Sequence, residues 1–69
     1  MRSISEILAA YGVPDFQGAE AEGGRIRICC TTGRMTYLQR DQAYDLAAEL
    51  VLAGSVEEFV EMTEALQAD

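Results

Sequence analysis

Apolar residues first recur in this chain at helical spacing. Ile4, Ile7, Leu8 and Tyr11 fall at i, i+3, i+4 and i+7, so they share one helix face. Ser3, with Glu6 three residues on, forms a capping box at the start. Gly12 stands where a left-handed residue ends a helix, Val13 follows as an apolar contact, and Pro14 bars continuation. A helix is predicted over residues 4–11. Two turns do not hold alone, so this face must pack, most simply on the inner face of the hairpin that follows.

From Arg25 to Leu38 the period changes from 3.6 to two, and the stretch reads as a β-hairpin around Thr32-Gly33. A two-residue turn there sets Cys30 opposite Met35, Cys29 opposite Thr36 and Ile28 opposite Tyr37. A four-residue turn gives the same facing. The inner face then holds Ile26, Ile28, Cys30, Met35 and Tyr37. The outer face holds Arg25, Arg27, Cys29, Arg34, Thr36 and Leu38.

Before it, Gly23-Gly24 is a tight-turn dipeptide. Folding back across it brings Glu22 to Arg25 and Glu20 to Arg27 on one face, and Ala21 to Ile26 and Ala19 to Ile28 on the other. Residues 18–22 therefore read either as a third strand or as an acidic, Gly-rich loop, since Ala, Glu and Gly are poor strand formers. Phe16 is the expected anchor of the connector.

Helical spacing returns at about residue 40. Ala43, Tyr44, Leu46, Ala47, Leu50 and Val51 form a wide apolar stripe to about Ala53, with Gln39 and Gln42 as a weak cap. Asp41, Asp45 and Glu49 line the opposite face, where like charges four apart repel mildly. Gly54-Ser55 is a short joint, and Ser55 with Glu58 makes a second capping box. In the last helix Val56, Phe59, Val60, Thr63 and Leu66 mark the expected buried face, and Glu57, Glu58, Glu61 and Glu64 the outside. The expected fold is a single α+β domain: a short N-terminal helix, a hairpin or three-stranded meander, and a C-terminal helical hairpin on one sheet face.

Charge narrows the possible partners. The 69 residues carry 12 acidic and 5 basic side chains, a net charge of −7. That argues against direct nucleic-acid binding, which depends on neutralising phosphates, and against an anionic membrane surface. It suits a host protein with a basic surface. So short a chain is marginal by itself, and with two adjacent Cys and no His, neither disulfide nor metal supplements it. A homodimer is one way to bury more surface. Met1-Arg2-Ser3 leads into Ile-Ser-Glu and not into an apolar signal core, so a bacterial cytosol is the expected location.

Catalytic motifs are lacking. Cys29 and Cys30 point to opposite strand faces, which predicts Cys30 buried and Cys29 partly exposed. One chain without His cannot complete a zinc site from them. The carboxylates lie on helix exteriors, not in a cleft that would shift their pKa values. There is no phosphate loop, calcium loop or nucleophile elbow. No catalytic, cofactor or metal residue is assigned, and the chain is read as non-enzymatic. The residues left for partner binding are Arg25, Arg27 and Arg34 on the sheet, and Glu57, Glu61 and Glu64 on the last helix. The arginines are either a contact patch or are neutralised internally by Glu20 and Glu22.

The stretch GRMTYLQRDQAYDLAAEL, from Gly33 to Leu50, resembles a strand-to-helix unit of small bacterial and phage proteins. In length, acidity and lack of catalytic residues the chain resembles small phage-encoded accessory proteins, including anti-CRISPR proteins. Those inhibitors share no motif, so no residue role carries over. The resemblance implies an inhibitor that blocks a host protein, with an acidic face able to mimic nucleic acid. A self-assembling structural module is the alternative.

Overall fold

A computed structural model describes residues 2–68. Its elements are α1 (Ile4–Ala10), β1 (Phe16–Glu22), β2 (Arg25–Cys30), β3 (Met35–Gln39), α2 (Arg40–Leu52) and α3 (Val56–Gln67). The strands form one antiparallel sheet in the order β1-β2-β3. α3 packs on β1 and on α2, while α2 also reaches β2 and β3. The fold is α+β, with the helical hairpin on one face of a three-stranded meander.

The open question over residues 18–22 is resolved in favour of a strand. β1 pairs with β2 through Glu22–Arg25, Ala21–Ile26, Glu20–Arg27 and Ala19–Ile28. Gly23 and Gly24 both take positive φ, at 61° and 81°, as a type I′ turn needs. That turn and the complementary charges select the same register, which outweighs the poor strand propensity of Ala and Glu. A bulge interrupts the pairing between Phe16 and Gly18.

The β2–β3 register differs from the expected one by a single residue. Ile28 lies opposite Thr36, Arg27 opposite Tyr37 and Ile26 opposite Leu38. The cause is the turn. The Gly33 amide donates to the Cys30 carbonyl at 2.9 Å and the Cys30 amide to the Arg34 carbonyl at 2.9 Å. The loop is therefore the three residues Thr31-Thr32-Gly33, with Gly33 at φ +88°. An odd loop moves the second strand by one position, and with period two every side chain on it changes face. Leu38 and Thr36 turn in, and Leu38 is buried; Met35 and Tyr37 turn out and are exposed. The expected assignment of these four side chains is thus reversed.

β2 carries the centre of the core. Ile26, Ile28 and Cys30 are buried there, under Leu46 and Leu50 of α2 and Met62 of α3. Val13 completes the core from the connector, just beyond the end of α1. Its amide donates to the Leu8 carbonyl at 2.9 Å and that of Gly12 to Ala9 at 3.0 Å, the paired bonds of a Schellman stop. The Ser3–Glu6 capping box forms as expected. α1 rests mainly against α2 and not, as expected, centrally on the hairpin, because α2 and α3 already cover that sheet face; its Ile7 and Leu8 still join the core that contains Ile26 and Ile28.

The α1–α2 contact has a polar edge. The Tyr11 hydroxyl donates to Glu49 Oε2 at 2.6 Å, and the Arg2 guanidinium also reaches Glu49. Glu49 thus sits at a helix contact and does not line an open face with Asp41 and Asp45. The second expected capping box is incomplete: the Ser55 hydroxyl donates to the Glu58 carboxylate and accepts no amide. At the other end of the helical hairpin, Arg40 donates to the Leu66 carbonyl at 2.5 Å, placing a cation at the C-terminus of α3.

The β2–β3 turn and the Tyr11–Glu49 bond each make a testable contribution. A Cβ at Gly33 meets no atom within 4 Å, so replacing it costs backbone strain alone. Gly33→Ala should destabilise the domain by about 1–2 kcal/mol, which thermal denaturation reads as a drop of about 4–8 °C per kcal/mol. Gly33→Asn should cost less, because Asn tolerates the left-handed region. The second test concerns pH. The Tyr11 bond, aided by Arg2, holds the Glu49 carboxyl below its usual 4.5. The same bond, with burial, pushes Tyr11 up to about 12. Glu49 therefore contributes stability above pH 4.5 that is lost as pH falls through its lowered value. Tyr11 contributes stability below pH 10 that is lost as pH rises toward about 12. Tyr11→Phe should lower the melting temperature at neutral pH and flatten both limbs of its pH profile; limbs as steep as those of the parent protein contradict the assignment.

Candidate functional site

Two surfaces hold the residues expected to bind a partner, and the fold treats them differently. The first is the sheet face opposite the helices. Here β1, β2 and β3 align Glu20, Arg27 and Tyr37 in one row, and Glu22, Arg25 and Gln39 in the next. Arg27 donates to Glu20 Oε2 at 2.6 Å and to Glu22 Oε1 at 3.2 Å. The Glu22 and Glu20 charges raise its pKa further. The Tyr37 hydroxyl donates to Glu22 Oε2 at 2.6 Å, which pushes the phenol pKa up. The Arg25 guanidinium stacks 4.4 Å from the Tyr37 ring centroid. Internal neutralisation therefore accounts for Arg27, and Arg25 lies over an aromatic ring that the one-residue shift turned outward.

Arg34 does not join them. It was expected on the outer face with Arg25 and Arg27. The three-residue loop instead puts it at the turn, where its guanidinium donates to the Gly12 carbonyl at 3.2 Å. Thr36 donates to the same carbonyl at 3.4 Å, and Thr31 donates to Asp15 through its amide at 3.0 Å and its hydroxyl at 3.2 Å. Arg34 is part of a latch between the connector and the β2–β3 loop. Cys29 is half-buried on the outer face and Cys30 is buried, both as free thiols. Burial raises the Cys30 pKa, so the thiol stays protonated.

The second surface is α3 beside β1. Its buried face is Phe59, Met62, Ala65 and Leu66, with Ser55 buried at its cap. This is rotated from the expected Val56, Phe59, Val60, Thr63 and Leu66. Apolar residues cover more than half of the helix circumference, so the periodic pattern fitted more than one face. Contact with both α2 and β1 selects the face centred on Met62. Val56 and Val60 are left 67% and 42% exposed.

Those two valines, with Phe16 of β1, floor an open groove of about 560 Å³ between β1 and α3, and Glu57 and Glu61 stand at its rim. A second depression continues from Glu61 past Glu64, along Ala19 and Ala21 of β1 and Ala65 of α3. Glu57, Glu61 and Glu64 thus share one side of α3 and are brought together along one slot. The small side chains of β1 open it: a Cβ on Gly18 would lie 3.9 Å from Glu61 Oε2. Among the described residues the ion pairs are those of Arg2 with Glu49 and of Arg27 with Glu20 and Glu22, so the three α3 carboxylates enter none.

Sequence reasoning missed Val56 and Val60 as surface residues, having assigned both to the core; Phe16 does pack against the core as expected, with one side left to the groove. The only available signal was their surplus: the last helix carries more apolar positions than one buried face can use. Among the described residues no group of three or more His, Cys, Asp or Glu is placed to hold a metal ion, and no helix is long and apolar enough to cross a membrane. No protein-family model matches the chain, and neither a curated protein nor a solved structure is significantly similar to it.

Proposed function

We propose that the protein is a non-enzymatic binding module that engages a basic surface of a partner protein through the acidic side of α3. The observation that supports this most directly is the slot beside β1. It joins three carboxylates that form no ion pair among the described residues, Glu57, Glu61 and Glu64, to an apolar floor made of the exposed Val56 and Val60 and the half-buried Phe16. An apolar centre with a charged rim is the usual anatomy of a protein-binding patch, and the rim charge selects a basic partner and speeds encounter. In this reading the chain is a small inhibitor of phage or mobile-element type that occupies a site on a host protein.

Mimicry of nucleic acid is the narrower form of the idea: it applies where the partner's basic surface is itself a nucleic-acid-binding groove. A second role, self-association, draws on Met35 and Tyr37, which are exposed on the sheet face that no helix covers.

Charge reversal tests the acidic side. Immobilised protein should retain a partner from bacterial lysate at low salt, release it at high salt, and lose it in Glu57→Lys/Glu61→Lys/Glu64→Lys. Arg25→Ala, on the opposite sheet face, should retain it. Capture that survives the triple reversal rejects the acidic side as the contact, and capture lost with Arg25→Ala alone moves the contact to the sheet face.

A further inference from the structure

The slot beside α3 is also the margin of the sheet. β1 has a neighbour on one side only, because the order β1-β2-β3 leaves it at the edge. In an antiparallel ladder, alternate residues turn their N–H and C=O groups toward the partner strand and away from it. Counting from the Glu22–Arg25 pair that closes the turn, Glu22 and Glu20 turn theirs toward β2. Ala21 and Ala19 turn theirs outward, along the floor of the slot. An open edge of this kind is a template for another strand.

We propose that this edge and α3 together accept an extended, basic segment of a partner protein as a fourth strand of the sheet. The proposal rests on the preceding functional reading and specifies how the partner is held. Backbone groups of Ala19 and Ala21 supply the ladder, as in other strand-addition complexes. Side chains of the added strand that point to the helix-covered face meet α3. Successive residues on that face lie about 6.6–6.8 Å apart, close to the rise of about 6 Å between Glu57 and Glu61. Lysine or arginine at alternate positions therefore comes into register with the carboxylates, while apolar groups at one end reach Phe16, Val56 and Val60.

The charge on the edge also says what does not occupy it. A second copy has two free edges to offer, β1 and β3, and neither strand contains a basic residue to set against the carboxylates of the slot. The Arg-bearing strand, β2, is central and already paired on both sides. The complementary occupant is a foreign basic strand and not a copy of this chain.

The test uses a fluorescent peptide of about eight residues alternating lysine and valine, titrated into the whole protein at low salt. Binding should weaken steeply with salt, and hydrogen exchange should show the Ala19 and Ala21 amides protected in the complex. Two further peptides carry N-methyl groups on the lysine amides or on the valine amides. Only one of these sets faces β1, so one peptide should bind about tenfold or more weakly and the other like the parent. Ala21→Pro, which removes an outward N–H at an edge where proline is tolerated, should have the same effect as the damaging methylation. If both methylated peptides bind like the parent and the two amides gain no protection, strand addition is overturned. The acidic-side reading then survives only if the triple Glu→Lys variant abolishes peptide binding. No binding of the parent peptide at low salt overturns both. A dimer in sedimentation that Ala21→Pro dissociates would assign the edge to a second copy and overturn the proposal.

Discussion

Covering Ile26 and Ile28 is the constraint on which this small domain depends. They lie fully buried on the central strand, so whatever covers them must reach over both halves of the sheet. A chain of 69 residues has two helices long enough to lie across them, and both are used. α2 takes the β2–β3 side and α3 the β1 side, so α1 is displaced to the flank of α2. Burial of this kind contributes roughly 25 cal/mol per Å² of apolar surface removed from water. A domain this small has little such area to spare, and its short turns and the Schellman stop of α1 limit the loop entropy set against it.

The position of α3 follows from what it must cover. Between Phe16 and the turn, β1 presents only Ala19 and Ala21 toward the helix layer, which is too little bulk to meet a helix all along its length. α3 settles with Met62 inward. Its other apolar edge, Val56 and Val60, remains beside Phe16, and its glutamates stand over the margin of the sheet. The candidate slot is thus a by-product of packing a helix against a strand of small residues. The opposite sheet face shows the contrary behaviour: its charges are consumed by one another, with Arg27 bound to two glutamates and Arg25 stacked on Tyr37.

Much of the architecture was legible in the order of residues. Both faces of the β1–β2 pair were written in complementary form, charge against charge and Ala against Ile, so one register satisfied both. The first helix carried its own start and stop in Ser3, Glu6, Gly12 and Pro14. The β2–β3 register was not legible, because Thr31-Thr32-Gly33 supports even and odd loops and both leave plausible residues on each face. Met35 and Tyr37 are, like Leu38, able to fill a core, so hydrophobicity could not arbitrate. The bond from the Gly33 amide to the Cys30 carbonyl does.

Local pattern alone determined the three helices and the two strands of the hairpin, the register β1 takes once it pairs with β2, and that the surface is strongly acidic. Those properties depend on neighbours within a turn or across a tight hairpin, where sequence separation is small. Only tertiary packing decided which side of α3 faces inward, where α1 rests, and which carboxylates remain unpaired. The first two are competitions between alternative apolar faces, settled by the shape of the element on the other side of the contact, and the third follows from where that packing leaves each glutamate.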